Sequence, residues 1–378
     1  MSVDEAVLVE GQNSTNNDED LLLSPYYPVL TLPSELISEI FTHYLPAYPI
    51  CPPLLGYASP TKLTQICRQW REIAHTTPAL WGAIELFMNS ELDEFVDLQL
   101  ETARTWLARS CSLPLSIVLG YLTMDETTKQ MEDGIGLFLA HRSRWEYAAL
   151  IVSSTTWIPG PMDGGMRILR QLDLAYSDTN TQRHPITVLD APHLTTILLD
   201  CDFVYWEFVP ALAVWSQITR LSLRHSTLNV VAAILRDAPN LVQCKIALNA
   251  RRAVSPAVER LYEFLQLEML IITAGFSDGE AVDEFLMAFR APNLRRLHID
   301  QDMLSHHPAN NLTSIPLILK VMGCRLEQLS IAHPQHSLAT YQEVLPDIGL
   351  IQLRHRLPKD WGAWDLHAEY RSQLTDYQ

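Results

Sequence analysis

The first 61 residues of this 378-residue chain contain no lysine or arginine. Eight of the 44 carboxylates fall there: Asp4, Glu5, Glu10, Asp18, Glu19, Asp20, Glu35 and Glu39. Secretory and mitochondrial leaders need early positive charge, so the expectation is an intracellular chain, cytoplasmic and/or nuclear. No apolar run approaches the roughly 20 residues that span a bilayer. Cysteine is scarce and scattered. Cys51, Cys67, Cys111, Cys201, Cys244 and Cys324 form no CxxC pair, which excludes a short disulfide framework and predicts buried free thiols.

Catalytic signatures are missing too. There is no GxSxG, P-loop, HExxH or dinucleotide-binding glycine pattern, so no catalytic residue and no cofactor is expected, and the chain reads as a non-enzyme. His306-His307 and His333-Pro334-Gln335-His336 lack cysteine or carboxylate companions at ligand spacing. Exposed loop histidines account for them, and no metal is expected. Net charge is −17, with 27 basic residues. Nucleic acid and anionic membrane surfaces would repel such a chain, so neither is expected as a partner.

What is present divides the chain in three. Residues 1–24 read as a disordered acidic tail. Residues 25–85 read as a helical domain. In it, Leu36, Ile37, Ile40, Phe41, Tyr44 and Leu45 mark one face of an amphipathic helix behind Pro33, and helical character returns from Thr61 through Leu63, Ile66, Cys67, Trp70, Ile73 and Ala74. Between these runs a proline-rich insertion, 46–60, is expected to loop out.

Residues 86–378 repeat one line: apolar, two variable residues, apolar, one variable, apolar. Its copies begin at Trp145, Leu169, Leu194, Ile218, Leu241, Leu267, Leu294, Leu326 and, more weakly, Ile348. Ala-Pro-(His/Asn)-Leu opens three of them, at Ala191, Ala238 and Ala291. Helix-period stretches such as Val230 to Leu235, Ala257 to Leu265 and Ile315 to Met322 lie between copies. One short strand and one helix about every 25 residues is the pattern of a leucine-rich-repeat solenoid, in which stacking buries leucines that a single unit leaves wet. The expected fold class is α/β: an all-helical N-terminal domain followed by a degenerate solenoid with a curved parallel sheet. The copies lack the asparagine that lines the turns of ideal repeats.

Alternation along each strand puts Ala149, Asp173, Leu198, Ser222, Lys245, Ile271, His298, Ser330 and Gln352 on the face opposite the leucines. Arg220, Arg224, Lys245, Met269, Arg296 and His298 are the candidate target-binding residues there. They suit an acidic or phosphorylated segment of a target protein; an ordinary solvated sheet face is the alternative.

Leu32-Pro33-Ser34-Glu35-Leu36-Ile37, Leu63-Thr64-Gln65-Ile66-Cys67-Arg68-Gln69-Trp70 and Pro78-Ala79-Leu80-Trp81 together resemble the F-box, with the insertion as the departure. Trp106-Leu107-Ala108-Arg109-Ser110 and the strand Arg144-Trp145-x-x-Ala148-x-Leu150 resemble large fungal-type F-box receptors. The resemblance implies a substrate-recognition subunit of an SCF-type ubiquitin ligase, bound to a Skp-family adaptor and through it to a cullin, with catalysis left to other subunits. Carried over by position, the adaptor-facing set is Leu32, Pro33, Leu36, Ile40, Phe41, Leu63, Ile66, Cys67 and Trp70. The same side chains could instead anchor the unit's own core. The other functional reading is a repeat scaffold not engaged with a ligase.

Overall fold

A computed structural model of the chain describes residues 28–88, 93–121, 129–152, 165–176, 190–200, 214–249, 261–275, 280–304, 311–354 and 361. The acidic tail expected at 1–24 lies outside the described residues. The helical segment comprises α1 (Ser34–Tyr44), the short α2 (Leu63–Ile66) and α3 (Arg68–His75). Pro33 precedes α1 as its cap, and the Cys67 sulfur caps α3 by accepting the Trp70 N–H at 3.4 Å. The Trp81 indole N–H donates to the Ala74 carbonyl at 2.9 Å, and its ring packs edge-on against Trp106 at 5.4 Å. Those contacts fasten the helical segment to the remainder of the chain.

Eleven strands then form a single parallel sheet in strict chain order. They are β1 (Ala83–Met88), β2 (Leu115–Tyr121), β3 (Trp145–Val152), β4 (Gln171–Tyr176), β5 (Thr196–Asp200), β6 (Arg220–Ser226) and β7 (Gln243–Asn249). A two-residue strand, β8 (Tyr262–Glu263), precedes β9 (Met269–Gly275), and another, β10 (Phe289–Arg290), precedes β11 (Arg296–Asp300). The last two are β12 (Gln328–Ala332) and β13 (Leu350–Leu353). β8 and β10 pair only with each other, giving a second small sheet. Among the described residues, α4 (Asp93–Arg109), α5 (Lys129–Leu139), α6 (Leu228–Asp237), α7 (Glu280–Met287), α8 (Asn311–Met322) and α9 (Leu338–Val344) occupy connections between strands.

The repeat line sets the register. From β4 onward every strand of the large sheet starts two residues after the first apolar position, as Leu169 precedes Gln171 and Leu294 precedes Arg296. Two apolar rows then run across the strands. One is Ile84, Ile117, Ala148, Leu172, Ile197, Leu221, Cys244, Leu270, Leu297, Leu329 and Ile351. The other runs two residues further along, from Leu86 to Leu353. All but Leu353 are buried. They join Ile37, Phe41 and Leu63 of the helical segment in one continuous core. Burying each leucine or isoleucine is worth roughly 1.5–3 kcal/mol, so the sheet face toward the helices carries most of the driving force.

The Ala-Pro-(His/Asn)-Leu phrase is a turn. The N–H of Leu194 bonds the Ala191 carbonyl, and that of Leu294 bonds the Ala291 carbonyl, each at 3.1 Å. Although the copies look asparagine-poor, Asn240 and Asn293 each reach back from this turn to a preceding coil, donating to Ser216 and Leu265 carbonyls at 2.7 Å. Of the helices expected between copies, α6 and α8 cover their stretches. At 257–265 the described part contains β8 rather than helix, because Tyr262 and Phe264 pack with Phe285 and Phe289 in an aromatic cluster. Among the described residues no helix is long and apolar enough to cross a membrane. The five described cysteines are free; Cys51 and Cys244 are buried as expected, whereas Cys67 and Cys324 are half-buried and Cys111 is exposed.

Candidate functional site

On α1 the apolar residues divide between two stripes. Ile37 and Phe41 are buried, and Phe41 meets the Trp70 ring edge-on at 4.9 Å. Leu36, Ile40 and Tyr44, spaced one helical turn apart, remain 52%, 47% and 44% exposed. The nine proposed adaptor-facing residues are therefore not equivalent. Leu36, Ile40, Pro33 and Ile66 are exposed or partly so; Leu32, Cys67 and Trp70 lie nearer the core's edge; Phe41 and Leu63 belong to the core. Phe41 and Leu63 cannot offer a surface, because α1 closes over α3 through the Phe41–Trp70 contact.

The proline-rich insertion does not loop out. It folds back over the sheet face opposite the helices, where Cys51 and Ile50 pack on Ala83, Val118 and Ala149. Ser116 Oγ donates to the Pro49 carbonyl at 2.5 Å, Tyr48 stacks edge-on against Tyr147 at 5.5 Å, and its hydroxyl donates to Glu146 at 3.2 Å. Prolines deprive the segment of ladder donors, so it covers the sheet through side chains instead.

On this second face the register places in line the residues that strand alternation led one to expect there. Ala149–Asp173, Leu198–Ser222, Lys245–Ile271, His298–Ser330 and Ser330–Gln352 are all cross-strand partners. Much of the row is nonetheless covered: Ala149, Asp173, Leu198, Ser222, Ile271, His298 and Ser330 are buried. Met269 and His298 are buried rather than exposed on this face. Met269 lies with Ile271 under Trp361, and His298 is 2% exposed with Nδ1 2.9 Å from Ser330 Oγ. Burial pushes the His298 imidazole down to about 4, so it is neutral at physiological pH rather than one of the face's cations. Arg220 stays exposed, while Arg224, Lys245 and Arg296 are half-buried. Arg220 and Arg224 share β6, Lys245 is on the neighbouring β7, and Arg296 lies two strands further, on β11.

At the C-terminal ends of the strands two histidine–aspartate pairs repeat one geometry. His225 Nδ1 is 2.7 Å from Asp200 Oδ1 across β5 and β6. His333 Nδ1 is 3.0 Å from Asp300 Oδ1 across β11 and β12. Both histidines have left-handed backbones, φ 51° and 44°, and both aspartates are buried. Sequence reasoning missed the carboxylates beside His333 because they lie 31 and 33 positions upstream and meet it only through strand pairing. The position after the strand's last apolar residue, which holds Asp200 on β5 and Asp300 on β11, is the one signal that marks Asp300. The sequence matches no protein-family model and no curated protein.

Proposed function

We propose that this chain is a substrate receptor of an SCF-type ubiquitin ligase. Its helical segment is an F-box that engages a Skp-family adaptor and through it a cullin. Its large parallel sheet is a degenerate leucine-rich-repeat solenoid that carries a target protein. The observation behind the reading is the doubled apolar surface of α1: Ile37 and Phe41 supply the internal core, and Leu36, Ile40 and Tyr44 are left over for a partner. Tethering a target near a charged conjugating enzyme is then the whole mechanism, by effective concentration. Arg220, Arg224, Lys245 and Arg296 suit an acidic or phosphorylated segment of that target.

One pull-down tests both halves. Leu36→Glu with Ile40→Glu in the full chain should weaken capture of a purified Skp-family adaptor by about 100-fold or more, as expected for central apolar anchors. The melting temperature should stay within about 2 °C, since neither residue is in the core. Undiminished capture would sink the ligase reading and leave the scaffold. In cells, this adaptor-blind form should accumulate bound targets, and adding Arg220→Glu with Arg296→Glu should release them. Retention of every target would remove the cationic face from the proposal.

A further inference from the structure

At the β11–β12 corner three side chains from two separate segments converge. Asp300 ends β11, Asp302 lies in the turn Gln301–Met303, and His333 follows β12. One donor atom of each lies within 4.8 Å of the others. His333 Nδ1 is 3.0 Å from Asp300 Oδ1 and 3.8 Å from Asp302 Oδ2. A cation held about 2.1 Å from each donor separates cis donors by about 3.0–3.4 Å; the two histidine–carboxylate gaps lie within a few tenths of an ångström of that range, and the exposed Asp302 carboxylate would swing in to complete the set.

The corner is also held in shape from behind. The Asp300 side chain is only 7% exposed, and its Oδ1 accepts the Asp302 N–H at 3.1 Å. Gln301, fully buried between the two carboxylates, accepts the Gln335 N–H at 3.1 Å and the Tyr341 hydroxyl. That ties the turn to the His333 loop. The buried Asp300 carboxylate now has His333 as its partner, so a cation entering between them would displace the proton shared by Nδ1 and Oδ1, and the fixed ligand spacing lowers the ordering cost of that exchange.

We propose that Asp300, Asp302 and His333 form a binding site for a divalent first-row transition cation. One imidazole and two carboxylates form an intermediate donor set that suits zinc, cobalt, nickel or manganese. With Asp302 and His333 half-exposed, further coordination positions stay open to water or to an acidic group of a bound protein.

Titration calorimetry of the full chain with ZnCl2, and visible absorption with CoCl2, test the site. Asp302→Asn and His333→Asn are the variants. Asparagine tolerates the left-handed backbone at 333 and can keep the bond to Asp300, yet it is a weak ligand. The expected result is one zinc equivalent present in the parent and lost from both variants, with each variant still unfolding in a single cooperative transition in EDTA. A hundredfold excess of zinc over its dissociation constant should raise the parent's melting temperature by a few degrees. Parent and His333→Asn isotherms that superpose, or no stoichiometric binding by the parent, would overturn the site.

Discussion

Glu85 stands in the middle row of the second sheet face, paired with Val118, and burial pushes its carboxyl from the ordinary 4.5 up to about 7. A raised carboxyl pKa means the folded protein holds the proton that the unfolded chain has released. Stability is therefore complete below about pH 4.5 and falls as pH rises through 7. Glu85→Gln removes the titration. Its stabilising effect should be near zero at pH 4.5 and reach about 2 kcal/mol at pH 8, after a discount for partial exposure. Thermal melts across that range measure it; a gain independent of pH would refute the assignment. Such residues are the least legible from sequence. His298 and Met269 sit at alternating strand positions that read as open face. What buries Met269 is Trp361, nearly a hundred residues on, and what covers the neighbouring Val118 is Cys51. No local pattern announces either contact.

At the scale of elements the periodic leucines did announce themselves. Strand positions of the large sheet from β4 onward follow the repeat line because the inner rows are a local consequence of which side chains must leave water. Where a longer-range contact competes, local pattern fails. The stretch after Leu261 turns into β8 to complete an aromatic cluster, and the insertion between α1 and α2 becomes a cover for β1 to β3. The turns between copies are stitched by Asn240 and Asn293, whose amides donate to carbonyls of the preceding coil beside the backbone bonds that link successive copies. Asn240→Ala and Asn293→Ala should each cost about 1 kcal/mol. Their partners are separate, so the double variant should cost about twice that. Urea midpoints of the two single variants and the double variant decide it, and a silent double variant would show that solvent substitutes for both bonds.

For the whole molecule, chain-order pairing means each interior strand of the large sheet hydrogen-bonds only to its two neighbours. Stability in such an array is a sum of nearest-neighbour terms, and its ends are its weakest points. Leu221, fully buried on β6 with strands on both sides, and Ile351, 7% exposed on the last strand, occupy the same row. Leu221→Ala should cost roughly 3–4 kcal/mol and Ile351→Ala about half of that, read from denaturant curves. Equal costs would mean that the sheet's end is held as firmly as its middle.

Chain-order pairing has a second effect, on distance. Each strand advances the sheet by about 4.8 Å, so position along the sequence is converted step by step into position along the sheet. Nine such steps separate β1 from β12, placing the Asp300–His333 corner roughly 43 Å of sheet away from the strand that adjoins the helical segment. The protein is in this sense a graduated ruler, with one end marked by the Trp81–Trp106 contact. Gaining or losing one repeat would move everything beyond it by one graduation, leaving each site's own chemistry intact.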